Sequence, residues 1–151
     1  MAYSKEKGLI AIATGYQDGK YTYTKLNLNW VQAESITSTP EQIIDVDSYR
    51  NANGYLKRTV LDHAPTKWEA NTTVLYQDEV DKFLDLLDEG FSLKDGKCTK
   101  KKRQLRIRYY NEWERGYSEG HAYVPVISFG YKLVINDKLV YQPIRFAFIE
   151  L

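Results

Sequence analysis

Cysteine is almost absent from this 151-residue chain: Cys98 is the only one, so no disulfide can close within it and no cysteine metal cluster can form. That composition fits a reducing compartment. Histidine is nearly as scarce. His63 and His121 have no metal-spaced neighbour of the His-x-x-x-His or Cys-x-x-Cys kind, so no zinc site is expected. The longest apolar run near the start, Leu9 to Ala13, is too short for a signal h-region and far too short to span a bilayer. The expectation is a soluble chain without a signal peptide and without a membrane partner. Charge of one sign is lacking too, since the formal net charge is +1. That removes strongly basic nucleic-acid proteins and acidic disordered chains as defaults. Gly-x-Ser-x-Gly, Gly-x-Gly-x-x-Gly, phosphate-loop and calcium-loop patterns are all missing. Cys98 lies in a lysine-rich loop with no histidine near it in sequence, and Asp45 with Asp47 reads as a solvated pair on one strand face. No catalytic, cofactor or metal site is expected, and the chain reads as a non-enzyme.

One segment has helical periodicity. Val80, Phe83, Leu84 and Leu87 form a stripe that Leu86 widens, which predicts a helix over about 78–89. Asp78 is the expected N-cap, and Gly90 stands where a helix commonly ends in the left-handed conformation. The opposite face carries Glu79, Asp81, Asp85, Asp88 and Glu89 against a lone Lys82.

Elsewhere the pattern has period two. A hairpin is expected from residues 8–14 through the turn at Gln17-Asp18-Gly19 into Tyr21 to Trp30, with a bulge or crossing near Thr24 and Lys25 where the apolar phase changes. A second hairpin pairs Ile43 to Tyr49 with Tyr55 to Leu61 around Asn51-Ala52-Asn53-Gly54, where Gly54 is the expected positive-φ residue. Lys67 to Leu75 alternates Trp68, Ala70, Thr72 and Val74 against Glu69, Asn71 and Thr73. Leu105, Ile107 and Tyr109 alternate with Arg106 and Arg108. A turn region is expected over Asn111 to Gly120, and a tight hairpin at Asn136-Asp137 joins two last strands, with Pro143 confining the second to an edge or restarting it at Ile144. The predicted fold class is mostly β: a β-sandwich or partly open barrel with one short α-helix packed against it, as a single domain over 1–151 in which 1–40 form an N-terminal hairpin elaboration.

Two features bear on function. Tyrosine is abundant, at 13 residues, and suits half-buried sheet faces and subunit interfaces alike. Charge is also segregated: residues 62–95 carry a net −6, whereas the seven charges between Lys97 and Arg108 are all positive. These blocks are either two solvated faces or complementary halves of a contact between copies. The second alternative makes Asp85, Glu89, Lys101, Lys102 and Arg103, with Trp113 and Tyr117, the candidate interface. Sequence-specific nucleic-acid binding is disfavoured, because the basic block opposes a large acidic surface.

The segment Ser48-Tyr49-Arg50-Asn51-Ala52-Asn53-Gly54-Tyr55-Leu56-Lys57-Arg58, the strand Lys67 to Thr72, the following helix, the strand Arg106 to Asn111 and the ending Phe148-Ile149-Glu150-Leu151 together resemble a family of small prophage and bacteriophage tail proteins. The resemblance covers roughly residues 45–151. It implies a tail-tube-like fold, a structural role in a ring of the tail tube, distal tail or baseplate, and a place in the virion tail after assembly in the host bacterial cytoplasm. The implied partners are copies of the chain itself and other phage tail proteins, with no cofactor. The rival reading is a monomeric β-sandwich module for carbohydrate, with Trp113, Tyr117 and Tyr123 as a stacking platform.

Overall fold

The computed structural model describes residues 3–151, and among these the chain is mostly β with one α-helix. Strands β1 (Ile10–Gln17), β2 (Lys20–Lys25), β3 (Thr37–Thr39), β4 (Tyr49–Arg50), β5 (Leu56–Lys57), β6 (Lys67–Asn71) and β7 (Leu75–Tyr76) precede helix α1 (Gln77–Phe91). Strands β8 (Gln104–Asn111), β9 (Gly116–Tyr123), β10 (Tyr131–Ile135), β11 (Lys138–Tyr141) and β12 (Arg145–Glu150) follow it. Seven strands form one antiparallel sheet in the order β2-β1-β8-β9-β12-β6-β3, a smaller sheet runs β10-β11-β7, and β4 pairs with β5 alone. No sheet among the described residues closes into a barrel.

The helix lies on one face of the large sheet, and the sequence shows why. Ile10 and Ile12, Leu105, Ile107 and Tyr109, Trp68 and Ala70, and Phe146 and Phe148 all alternate toward that face, where Phe83, Leu86, Leu87 and Phe91 of α1 meet them. Each such side chain removed from water contributes about 1.5–3 kcal/mol before conformational entropy is counted. A second, small cluster of Leu75, Val80 and Ile144 joins the start of α1 to the smaller sheet.

The helix ends differ from expectation. Its N-cap is Tyr76, whose N–H donates to the Glu79 carboxylate at 3.1 Å, while Asp78 sits inside the first turn. Gly90 is not a left-handed terminus; the helix runs through it to Phe91. A Cβ there would stand 2.7 Å from Ile12 Cγ2 and 3.3 Å from Leu105 Cβ, so at Gly90 the helix backbone lies directly against the sheet. Gly90→Ala is expected to destabilise by about 1–3 kcal/mol, the usual range for overpacking, despite alanine's better helix propensity. A Gly90→Ala urea midpoint equal to or above the parent's would refute this close approach.

The turns follow local chemistry. Asp18 and Gly19, and Asn136 and Asp137, all have positive φ, as two-residue hairpins require. Gly54 has φ +82°, with the Asn51 side chain accepting from Asn53 N–H at 3.1 Å and Tyr55 N–H at 3.0 Å. Gly54→Val should therefore melt this turn locally while leaving global stability nearly unchanged. Hydrogen exchange at Tyr55 checks it, and unaltered protection there would contradict it.

Several extended segments are shorter or displaced. The hairpin at residues 8–25 is no appendage, since β1 lies inside the large sheet between β2 and β8 and buries Ile10 to Ala13. Its irregularity falls on β1 between Ala13 and Gly15 rather than at Thr24 and Lys25, and the phase change after Lys25 is the chain leaving the sheet. Strand β6 stops at Asn71 because Thr72 turns inward, its Oγ1 accepting Ile144 N–H at 2.9 Å, which leaves Val74 exposed. The β8–β9 ladder runs the full length from Gln104↔Tyr123 to Asn111↔Gly116. The broad turn expected over Asn111 to Gly120 shrinks to Glu112–Arg115 because the buried Asn111 side chain accepts from Trp113 N–H at 3.0 Å. The last strand begins afresh after Pro143, at Arg145.

Candidate functional site

The most developed polar arrangement is centred on Asp95, in the turn after α1. Its Oδ1 accepts the backbone N–H groups of Lys97 and Cys98, both at 2.9 Å. Its Oδ2 accepts Tyr21 O–H at 2.9 Å, His121 Nε2–H at 2.7 Å and the Cys98 thiol at 3.4 Å. Strand order brings these together: Arg106 and His121 are cross-strand partners on β8 and β9, and Tyr21 comes from β2 at the sheet's edge. The Arg106 guanidinium lies 4.4 Å from the Tyr21 ring centroid and 3.4 Å from His121 Nδ1.

The electrostatics follow from burial. The Asp95 side chain is only 1% exposed. Burial alone would raise its pKa, but hydrogen bonds from His121, the two backbone N–H groups and Tyr21 outweigh it and hold the carboxyl well below its usual range. Burial, then the hydrogen bond to Asp95, pushes the Cys98 thiol up to about 12, which favours the protonated form at neutral pH. Burial and Asp95 likewise push Tyr21 up to about 12. Asp95→Asn is expected to destabilise by about 1–3 kcal/mol by leaving buried donors poorly matched. Equal denaturant midpoints for the two proteins would overturn that expectation.

Sequence reasoning passed over this cluster because Tyr21 and His121 lie 74 and 26 residues from Asp95. The available signal was Asp95-Gly96-Lys97-Cys98, an acidic residue whose side chain can cap the two N–H groups that follow it.

The proposed interface residues are dispersed. Asp85 and Glu89 are exposed on the outer face of α1, and Lys101, Lys102 and Arg103 are exposed in the turn before β8. The two blocks are neighbours within one chain, with Lys100 Nζ 3.2 Å from Asp88 Oδ1. Arg106 and Arg108 drop out of the basic surface, since they lie over the rings of Tyr21 and Tyr23. Trp113 is 70% exposed at the β8–β9 turn. Tyr117 is half-buried, its hydroxyl donating to Gly8 O at 2.8 Å and accepting Ser4 N–H at 3.0 Å. Tyr123 pairs with Gln104 at the far end of the ladder from Tyr117, about 20 Å away at the usual strand rise, so no three-ring platform forms.

Two apolar surfaces stand open. Residues 43–63 form an arm that is exposed throughout except at Asn51 and includes Ile43, Tyr49, Tyr55 and Leu56. Beyond its root, where Gln42 N–H meets Pro65 O (2.9 Å) and His63 Nε2 meets Leu151 O, its pairing among the described residues is with itself: β4 with β5, the Asp45↔Val60 bridge and the Arg58–Asp45 ion pair. Beside α1, a groove of about 390 Å³ is lined by Leu84, Leu87, Phe91, Val124, Val126 and Phe129.

A family described as "Family of unknown function (DUF6711)" matches residues 18–151. The chain belongs to that family. The match takes in the turn of the first hairpin and all that follows, more of the N-terminal region than the tail-protein resemblance covers. No curated protein matches the DUF6711 chain. Two solved structures are loosely similar to it. One is a chain from the tail of an empty gene transfer agent (GTA) particle with C6 symmetry, with TM-score 0.47 at 12% identity. The other is from the virion of a native GTA particle, with TM-score 0.44 at 13% identity. Each likeness covers 99% of this chain and 95% of the other.

Proposed function

We propose that this DUF6711 chain is a structural, non-enzymatic component of the tail of a tailed bacteriophage or phage-like particle, whose copies assemble into a ring of the tube, distal tail or baseplate. The observation that carries this reading is the arm at residues 43–63. An isolated two-stranded hairpin is marginal in water, and one that displays this many large apolar side chains acquires a reason to persist only against another surface. Both margins of the large sheet support it: among the described residues β2 is bonded only to β1 and β3 only to β6, so each leaves unpaired backbone groups able to continue the sheet into a neighbour. The segments that resemble phage tail proteins are β4, β5, β6, α1, β8 and β12, which are the arm and the body that carries it. In this reading the chain resides in the virion tail, is assembled in the host cytoplasm and contacts other tail proteins.

The charged blocks supply the second contact, between Asp85 and Glu89 of one copy and Lys101, Lys102 and Arg103 of the next. Reversing Lys101, Lys102 and Arg103 to glutamate is expected to lower the assembled fraction, and adding Asp85→Lys with Glu89→Lys is expected to restore part of it. Salt should weaken assembly of the parent, because exposed charges are screened over about 8 Å at physiological ionic strength. Sedimentation velocity at low and high salt decides; an assembled fraction indifferent to salt and to charge reversal removes the electrostatic contact.

A further inference from the structure

We propose that Asp95, Cys98 and His121 form a binding site for one zinc ion. Among the described residues, their ligand atoms lie within 4.8 Å of one another. Oδ2 of Asp95 is 2.7 Å from His121 Nε2 and 3.4 Å from Cys98 Sγ. Donors on a tetrahedral zinc, bound at about 2.0–2.3 Å, stand about 3.3–3.8 Å apart, so the Asp95–Cys98 pair is already at that spacing and the Asp95–His121 pair needs to open by about 0.6–1 Å. The donor set selects the metal, since a thiolate with an imidazole suits zinc and is foreign to magnesium and calcium.

The surroundings already hold the carboxylate in place. The second Asp95 oxygen is fixed by two backbone N–H groups, and Tyr21 donates to the first, so the carboxylate is oriented by contacts outside the site. Zinc replaces hydrogen as the element joining the three side chains. The Cys98 proton leaves to solvent, the His121 proton moves from Nε2 to Nδ1, and a water takes the fourth position. Arg106 Nη1, which lies 3.4 Å from Nδ1, then faces an N–H and gives up that contact, while its Nε still donates to the Tyr23 hydroxyl oxygen at 3.1 Å and its Nη2 stays 3.8 Å from Glu119; its positive charge moderates the affinity. The ion would tie the turn after α1 to β9, close to the edge strand β2, and so stiffen one margin of the large sheet. This inference stands apart from the tail reading, since it needs only the folded chain.

The test uses the full chain, stripped with chelator and titrated with zinc chloride and, separately, with cobalt(II). One equivalent should bind, with a sulfur-to-cobalt charge-transfer band in the near ultraviolet, release of about one proton per ion at neutral pH, and a melting temperature that rises with zinc. Cys98→Ala should abolish the band, and His121→Gln should weaken zinc uptake at least about 100-fold. Either variant is compared only after its metal-free circular dichroism matches the parent's, and the other serves if one fails to fold. Absence of the thiolate band in the folded parent, or equal zinc binding by folded Cys98→Ala, overturns the proposal.

Discussion

Phe83→Ala is expected to cost about 3–5 kcal/mol, a large share of the 5–15 kcal/mol that holds a typical domain together. Phe83 is 1% exposed and stands where helix, large sheet and the 28–31 segment converge. Its ring centroid is 5.0 Å from that of Phe146 and 6.2 Å from that of Trp30, both edge-on. Removing it withdraws apolar area and opens a cavity lined by the Phe146 and Trp30 rings, held by two separate segments, so the site cannot readily collapse to fill it. Leu87→Ala, one turn on, should cost about 2–5 kcal/mol by the same mechanism. Urea denaturation is the measurement: the midpoint should fall sharply with the slope unchanged. A midpoint within error of the parent's would mean that the helix does not close the core.

Replacing Ile43, Tyr49, Tyr55 and Leu56 together with serine is expected to do the reverse, abolishing assembly while leaving the fold intact. These side chains are 61%, 62%, 70% and 48% exposed, so each substitution should change stability by no more than about 0.5 kcal/mol. At an interface the same tyrosines are the type of residue that anchors binding, with losses of about 2 kcal/mol or more for each hot spot. Two such anchors already multiply to a weakening of about a thousandfold. Sedimentation velocity should show the parent as a large species and the variant as single chains with an unchanged melting temperature. Equal assembly by both would free the arm of the role assigned to it.

How far the sequence spoke depended on whether the deciding partner was near in the chain. Period-two alternation placed Leu105, Ile107 and Tyr109 on the buried face correctly, and the 80, 83, 84, 87 spacing found the helix face, with Leu84 only half-buried at its margin, because both are local geometry. The same alternation at residues 43–49 suggested a full strand, yet only Tyr49 and Arg50 pair as one, since no body lies beneath that segment to reward the pattern. Gly90 could not be read, because a glycine ending a helix and a glycine pressed against a sheet look alike until Ile12 and Leu105 are known to face it. Summing charge over 97–108 pooled Arg106 and Arg108 with the lysines, although strand alternation sends those two across tyrosine rings. The Asp95 cluster was hidden for the same reason as Gly90: its members meet only once β2, β9 and the turn after α1 are side by side.

Electron microscopy of the purified chain at low salt, over a range of concentrations, asks most directly whether this is a ring-forming tail component. Closed rings of one size, growing in number with concentration and missing from the four-serine arm variant, are the expected result. Single particles the size of one chain at every concentration and salt, identical for parent and arm variant, would contradict it.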